Sequence, residues 1–290
     1  MWELLDLAPE ATDDKIKEIA NRHVGWLYRR YQKALSYNLL VIFDSSSLHR
    51  LDANHIYAAV GRCNPELPLL LVLRSDGGSI PAAYLIAKLC RERSPKGFEV
   101  VVPREAKSAA TLLCCGADRI HMGGLSELGP IDPQFGGVPG LALKHSLEHL
   151  AQLVSEYPGA TQMVSEYLIK CLPMQSLGYY ERVAESASHY AQRLLQSRIA
   201  SGDAANNESI ARHLVYSYKD HGFVIDFREA AEIFGKDVVQ VDSPEYQVGN
   251  AIYVALDLIQ FIVGDRFKRN MYFVGDVIEG ARLYPRRQLE

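Results

Sequence analysis

Short apolar runs alternate with helical segments between residues 39 and 122, and this alternation constrains the fold more than any other feature of the chain. Continuous apolar runs are typical of strands that are buried on both faces of a parallel sheet. The unit of one strand and one helix repeats about every thirty residues, which predicts right-handed crossovers between parallel strands. We predict strands at residues 39–43, 69–73, 98–102 and 119–122, and helices at residues 53–63, 80–93 and 108–115.

Helical periodicity continues on both sides of this region. We predict a first helix at residues 12–36 that Thr12 caps, and later helices at residues 141–156, 160–171, 177–199, 208–218 and 227–234. A strand at residues 238–241 precedes a final helix and a basic tail at residues 266–287, and residues 123–140 form a long loop. We therefore divide the chain into an N-terminal helical extension (1–38), a main domain (39–243) with a helical insertion at about 160–205, and a C-terminal helix and tail (244–290).

Composition and charge exclude several classes of function. The chain of 290 residues is long enough to bury a sizeable core, and its net charge of −4 provides no basic surface for nucleic acid. The five cysteines form no CxxC pair, which argues against zinc and favours reduced thiols in a cytoplasmic protein. No Asp, Glu and His grouping has metal-ligand spacing, and there is no phosphate-binding glycine loop, so we expect neither a metal nor a cofactor.

Two segments bear on membrane association. The N-terminal residues 1–23 are acidic and interrupted by polar residues, so we expect neither a signal peptide nor a membrane anchor there. Residues 248–264 are mostly apolar but include Asn250, Asp257 and Gln260. We therefore expect an amphipathic or buried helix rather than a membrane span.

Turns with small residues follow two of the predicted strands. Gly77 and Gly78 follow the second strand, where glycine allows positive φ and lets a bare N–H point into a cavity. Ser108 stands where a helix is predicted to begin, beside free N–H groups that stabilise developing negative charge. Reactive groups of open α/β sheets gather at the carboxyl ends of strands. Ser108 is therefore a candidate nucleophile, with a plain helix cap as the alternative. A thiol nucleophile at Cys114 or Cys115 is less expected, because buried cysteines behave as small apolar residues.

The order of motifs then resembles a known superfamily. Strand, Asp-Gly-Gly, helix, strand, Ala-x-Ser-Ala-Ala, helix, Gly-Ala-Asp-x-Ile and Leu-Gly-Pro-Ile-Asp-Pro-Gln is similar to the ClpP/crotonase superfamily. The closest resemblance is to its serine peptidases of the signal peptide peptidase A type, and to the group named serine dehydrogenase proteinase. It covers residues 39–153 well and residues 221–235 weakly.

The resemblance implies a fold and a set of site residues. The fold is α/β, a ClpP/crotonase-like spiral of β-β/α or βα units with a parallel sheet, plus an N-terminal helix and a helical C-terminal region. Ser108 is the implied nucleophile, and the backbone N–H groups of Gly78 and Ala109 form the implied oxyanion hole. A peptide or protein substrate and a homo-oligomer are implied as well. Many relatives of signal peptide peptidase A carry a membrane anchor, and from residues 1–23 we expect that this chain departs from them.

A serine hydroxyl needs a base to become a good nucleophile. Relatives use either a Ser/His/Asp triad or a Ser/Lys dyad. Where triad relatives carry histidine, this chain has Asp132, so a ClpP-type triad is not expected. Lys144 is the only lysine in the region where dyad relatives place theirs, and it adjoins the apolar stripe of a predicted helix. Burial lowers the pKa of an amine towards that of a useful base, so we predict Lys144 for this role.

Other groups remain open as the base. His145 follows Lys144 directly, and His221 could act with Asp132 or Asp220 in a rearranged triad. The prediction for the whole chain is a soluble, cytoplasmic ClpP-class serine peptidase that works through an acyl-enzyme. The first alternative is an inactive ClpP-like scaffold or binding protein, which the missing triad histidine motivates. A crotonase-like thioester enzyme is less expected, because that branch does not need a serine at a helix start.

Overall fold

A mostly parallel sheet runs through the computed structural model, which describes residues 3–31, 34–44, 47–135, 138–171, 174–199 and 203–285. Within these ranges the side chains of residues 135, 138–145, 171, 174–178 and 180 are not described. The strands, in chain order, are β1 (Asn38–Asp44), β2 (Leu69–Ser75), β3 (Phe98–Val101), β4 (Glu105–Ala106), β5 (Arg119–Met122), β6 (Glu127–Leu128), β7 (Gln134–Phe135), β8 (Val138–Pro139), β9 (Val239–Val241), β10 (Arg269–Gly275) and β11 (Ala281–Pro285).

Helices separate most of the strands. They are, in chain order, α1 (Glu3–Asp6), α2 (Asp13–Arg30), α3 (Arg50–Val60), α4 (Ile80–Arg93), α5 (Ala109–Cys114), α6 (Gly140–Glu156), α7 (Thr161–Cys171), α8 (Met174–Gln196), α9 (Ala204–Tyr216), α10 (Phe227–Phe234) and α11 (Pro244–Arg266). Short 3₁₀ turns lie at Ala34–Ser36 and Pro158–Ala160. The predicted bounds of α4, β5 and α10 agree with the structure, and Thr12 caps α2 as expected by accepting from the Lys15 amide.

The strand order in the main sheet is β11-β10-β1-β2-β3-β5-β9. Pairing is parallel from β1 to β9, whereas β10 is antiparallel to β1 and to β11. The short strands β4 and β6 extend the sheet beyond the carboxyl end of β2, where Ser75 pairs with Ala106. This architecture confirms the predicted α/β class with a parallel sheet.

Both faces of the sheet are buried, which explains the continuous apolar runs. Successive strand residues point to opposite faces. Leu40 and Ile42 of β1 therefore pack in one hydrophobic cluster with α3, α4, α5, α8 and α9. Leu39, Val41 and Phe43 pack in a second cluster with α2 and α11.

Three features differ from the sequence-based expectation. The first long helix ends at Arg30 rather than near residue 36. The loop at residues 123–140 contains the short strands β6, β7 and β8. The segment after Arg266, predicted as a tail, forms the hairpin of β10 and β11, which joins β1 at the edge of the sheet. The domain boundaries given above remain a prediction.

Helix α11 is long and mostly apolar. Among the described residues it is the one helix whose length and composition would allow it to cross a membrane. Its Val248, Ile252, Leu256, Ile259 and Val263 are buried in the second hydrophobic cluster. Core helices of proteins without membrane contact meet the same length and composition criterion.

Candidate active site

Ser108 directly precedes α5 and has an unusual backbone conformation. Its φ is 51° and its ψ is −114°. Positive φ is rare outside glycine, and a residue held in such a region costs roughly 1–3 kcal/mol. The hydroxyl makes no capping hydrogen bond, and no other described residue bonds to it. A serine that caps a helix would use its hydroxyl for that purpose, so this geometry argues against the plain helix cap.

The two glycines after β2 also have positive φ, 110° for Gly77 and 131° for Gly78. The Gly77 amide donates to Ser75 Oγ at 3.2 Å, and the Gly77 carbonyl accepts from the Leu48 amide at 2.8 Å. A Cβ at Gly78 would lie 2.5 Å from the Leu48 nitrogen. The segment after β1 therefore closes over the glycine turn and requires glycine at both positions.

Two backbone N–H groups beside Ser108 are free to bind a ligand. Within the described ranges, neither the Gly78 amide nor the Ala109 amide donates a hydrogen bond. Ala109 is buried, and buried N–H groups without an acceptor are rare in proteins. Such a pair of donors can stabilise negative charge on a substrate oxygen.

Lys107, the neighbour of Ser108, connects three segments. Its Nζ lies 3.1 Å from Glu127 Oε1 and donates to the carbonyls of Leu128 and Phe223, each at 3.3 Å. With these partners Lys107 connects the segment before α5 to strand β6 and to the loop that contains Phe223.

His221 and Asp132 form a close pair. His221 Nδ1 lies 2.7 Å from Asp132 Oδ1. Asp132 is buried, and its Oδ2 accepts from Gln134 Nε2 at 3.0 Å. The His221 side chain is 32% exposed, and its Nε2 has no hydrogen-bond partner among the described residues. The structure thus brings together two of the residues named for a rearranged triad.

The other candidate residues have different surroundings. Asp220 is exposed and accepts from the Gly222 amide at 3.0 Å, so its carboxylate stabilises its own turn. The side chains of Lys144 and His145, near the start of α6, lie outside the part of the structure that is described. Their assignment as base remains a prediction.

His121 belongs to a buried network rather than to this site. Its Nδ1 lies 2.7 Å from Ser243 Oγ, and its Nε2 lies 2.9 Å from Glu99 Oε2. The Tyr37 hydroxyl also donates towards Glu99 at 3.0 Å. The His121 side chain is almost completely buried, so substrate has no access to it.

The two cysteines at the end of α5, Cys114 and the following Cys115, do not have the properties of nucleophiles. Cys114 and Cys115 are fully buried. Burial raises the pKa of the Cys115 thiol to about 12 and raises the pKa of Cys114 as well. A thiolate is the reactive form, so both groups are inert at neutral pH. No group of three metal-binding side chains occurs among the residues that the structure describes.

Two contributors to the site were not singled out from sequence. One is Leu48, whose amide and carbonyl hold the glycine turn through hydrogen bonds of 2.8 and 2.9 Å to Gly77 and Ser79. The other is Lys107, through its contacts with Glu127, Leu128 and Phe223. A polar run after the first strand, Asp-Ser-Ser-Ser, was the available signal for the Leu48 loop, because it lies at the same sheet edge as Ser108.

Comparison with known proteins identifies relatives of the chain. The sequence model of a family described as ClpP-like SDH-type serine proteinase matches residues 13–159. An uncharacterized protein of Methanocaldococcus jannaschii is 24% identical over 251 residues, which cover 87% of this chain and 79% of that protein. A second uncharacterized protein of the same organism is 23% identical over 186 residues, covering 64% of this chain and 61% of the relative.

Two solved structures are distantly similar. One is a serine-to-alanine mutant of the 1510-N membrane-bound stomatin-specific protease, with a TM-score of 0.44, 13% identity and coverage of 70% of this chain and 80% of that one. The other is a lysine-to-alanine mutant of the same protease in complex with a substrate peptide, with a TM-score of 0.45, 14% identity and coverage of 72% and 78%.

Proposed function

Because the chain belongs to the ClpP-like, SDH-type serine proteinases, we propose that it hydrolyses peptide bonds through an acyl-enzyme on Ser108. The observation that carries this proposal is the backbone of Ser108. Ser108 has positive φ, and its hydroxyl makes no capping hydrogen bond. The hydroxyl lies beside the N–H groups of Gly78 and Ala109, which have no acceptor in the described ranges. Strain of this kind persists where the surrounding structure maintains it, and it is concentrated at functional sites.

The proposed reaction has two steps. Ser108 Oγ attacks the carbonyl carbon of the substrate, and the amine leaves once it has received a proton. Water then attacks the ester and releases the acid. In both steps the N–H groups of Gly78 and Ala109 donate to the negatively charged oxygen. Loss of one such donor typically lowers kcat by about 10²–10³-fold.

The sequence-based proposal for the base is Lys144, which would complete a Ser/Lys dyad. Support for it comes only from its position in α6 and from the resemblance described above. The Asp132–His221 pair is the competing base.

An inactive scaffold that keeps the fold is the second candidate function. The observation that favours it is the absence of any described hydrogen-bond partner for the Ser108 hydroxyl. A thioester enzyme of the crotonase type has no comparable support.

We also propose a soluble, cytoplasmic homo-oligomer. Cys63, Cys90, Cys114 and Cys115 are free thiols, as expected in a reducing compartment. Large apolar side chains are exposed on α7, as expected at a subunit contact: Met163, Tyr167 and Ile169. Light scattering after size-exclusion chromatography measures the mass of the particle, and a monomer without detergent would contradict the oligomer.

The test of the peptidase is intact-mass analysis after incubation with a fluorophosphonate probe. We expect a single adduct on the wild-type protein, located on the peptide that contains Ser108, and no adduct on Ser108→Ala. Hydrolysis of a peptide library should show the same dependence. A folded wild-type protein that takes up no probe and cleaves no peptide would favour the scaffold.

A further inference from the structure

We propose that the Asp132–His221 pair is the base of the reaction, with His221 Nε2 exchanging protons with Ser108 and Asp132 as a positioning residue. This proposal rests on the proposed peptidase function and deepens it. It names a chemical role for two residues that lie 89 positions apart in the chain.

The Asp132 carboxylate orients the imidazole ring of His221. With Nδ1 at 2.7 Å from the Asp132 carboxylate, the proton of a neutral His221 resides on Nδ1 and the lone pair on Nε2. Nε2 has no hydrogen-bond partner among the described residues, and about a third of the side chain is exposed. The ring is therefore oriented by a carboxylate at one nitrogen and open at the other, as a general base requires.

Several contacts fix the position of Asp132. The carboxylate is buried and has partners on both oxygens, His221 on Oδ1 and Gln134 on Oδ2. Its segment is tied to α5, because the Gly129 amide donates to Thr111 Oγ1 at 3.0 Å. The Ile131 amide donates to the Leu214 carbonyl at 2.9 Å.

The loop that carries His221 is attached to the segment that precedes Ser108. Leu128 and Ile225 exchange two backbone hydrogen bonds, of 2.9 and 3.1 Å. The Phe223 carbonyl accepts from Lys107 Nζ at 3.3 Å, and Lys107 directly precedes Ser108. The loop that carries His221 is thus tied to Lys107, next to Ser108. The segment that carries Asp132 is tied to Thr111 in α5, the helix that follows Ser108.

The sequence position of Asp132 fits this role. By the resemblance stated in the sequence analysis, Asp132 stands where triad relatives carry histidine, and His221 lies in the later segment of weak resemblance. The two groups of a triad would then be supplied in exchanged positions. An exchange of this kind preserves the contacts that matter, because a triad is defined by its geometry and not by chain order.

Each proton that leaves Ser108 or water in this reaction passes through His221 Nε2. The Ser108 Oγ–H proton moves to His221 Nε2 while Oγ bonds to the carbonyl carbon. The imidazolium then gives this proton to the leaving nitrogen as the C–N bond breaks. Water attacks the ester, its proton moves to Nε2, and the proton returns to Ser108 Oγ as the C–O bond breaks. Asp132 stays ionised throughout and stabilises the imidazolium.

In the structure without substrate, the Ser108 hydroxyl and His221 are not hydrogen-bonded to each other. Such contacts are often long before substrate binds and tighten in the complex. Proton transfer therefore requires the imidazole to approach Ser108 when substrate binds. The residues on both sides of His221, 219–220 and 222–224, are exposed, which leaves the loop room to move.

The experiment compares fluorophosphonate labelling rates of the wild type, His221→Ala, His221→Gln, Asp132→Asn and Lys144→Ala, with His189→Ala as the control for loss of an exposed histidine. We expect His221→Ala and His221→Gln to label about 10²–10⁴-fold more slowly than the wild type, since that is the usual contribution of a general base. Glutamine keeps a donor for Asp132 and the bulk of the ring, so this variant separates proton transfer from support of the loop. His189→Ala should stay within about threefold of the wild type, the scatter expected of a substitution outside the machinery. Lys144→Ala tests the competing base of the Ser/Lys dyad.

Rescue by imidazole is the decisive readout. Added imidazole should accelerate labelling of His221→Ala, because it replaces the missing base, and should have no effect on Ser108→Ala. Asp132→Asn should slow labelling without a change in probe affinity. A wild-type rate in folded His221→Gln, or loss of labelling in Lys144→Ala alone, would overturn the assignment and leave the peptidase intact. Absence of labelling in the wild type would overturn the peptidase and the assignment together.

Discussion

Gly77 lies so close to Ser108 that a Cβ at position 77 would be 2.9 Å from the Ser108 Cβ. The same Cβ would be 2.9 Å from the Lys107 carbonyl oxygen, and the φ of Gly77 is 110°. The turn after β2 therefore sets the position of Ser108 directly, through close contact with the Ser108 Cβ and the Lys107 carbonyl.

Gly77→Ala should displace the serine segment. An added methyl must move Ser108 or the turn by several tenths of an ångström, and a misplacement of about 1 Å can cost 10²-fold in rate. We expect fluorophosphonate labelling to slow by about 10²-fold, and the free energy of unfolding to fall. The control is Gly124→Ala, because a Cβ there meets nothing within 4 Å. Equal labelling rates in the two variants would contradict the prediction.

Ser108→Gly should be more stable than Ser108→Ala. Both substitutions remove the hydroxyl, but glycine adopts φ of 51° without the steric cost that alanine retains. Glycine loses more conformational entropy on folding than alanine does, which offsets part of this advantage. We therefore expect a net difference of about 1 kcal/mol in the free energy of unfolding. Urea denaturation measures it. An alanine variant that is as stable as the glycine variant would show that the backbone at Ser108 is not strained.

Arg198 supports the helix that follows Ser108. Its Nε donates to the Cys115 carbonyl at 2.9 Å, and a second nitrogen donates to the Cys114 carbonyl at 3.3 Å. The side chain is buried, and burial lowers the pKa of Arg198. Arg198→Met should lower the free energy of unfolding by about 2–4 kcal/mol, because two carbonyls at the end of α5 lose a charged donor.

Thermal and urea denaturation test this prediction, with Arg193→Met as the control on the exposed surface of α8. The control should change stability by less than about 0.5 kcal/mol. An Arg198→Met variant that is as stable as this control would show that the hydrogen bonds to α5 contribute nothing measurable.

The described thiols should resist alkylation in the native protein. Burial raises the pKa of Cys63 to about 11 and that of Cys115 to about 12. A raised thiol pKa leaves little thiolate near pH 8, and reactivity increases only as the pH approaches the pKa. Iodoacetamide should therefore modify Cys63, Cys90, Cys114 and Cys115 slowly in buffer and fully in urea. Rapid native modification of Cys114 or Cys115, located by peptide mass spectrometry, would contradict the burial of α5.

The local elements of the fold were predictable because their signals are local. Apolar runs buried on both faces predicted β1, β2 and β3, and helical periodicity predicted α4 and α10 with correct bounds. The hairpin of β10 and β11 was missed, because an edge hairpin with polar and basic residues resembles a solvated tail until its partner strand is known. The family was also predictable, since its motifs are contiguous and the matched residues 13–159 include them.

The sequence by itself determined that Ser108 follows a strand and begins a helix, and that two glycines end the neighbouring strand. These positions depend on periodicity and on residue size, which act over a few residues. Only the tertiary structure decided that Ser108 takes positive φ and that the Leu48 backbone packs closely against Gly78. The tertiary structure also decided that His221 pairs with Asp132, 89 positions away. Packing of distant segments creates those relationships, and no local propensity encodes which histidine reaches which carboxylate.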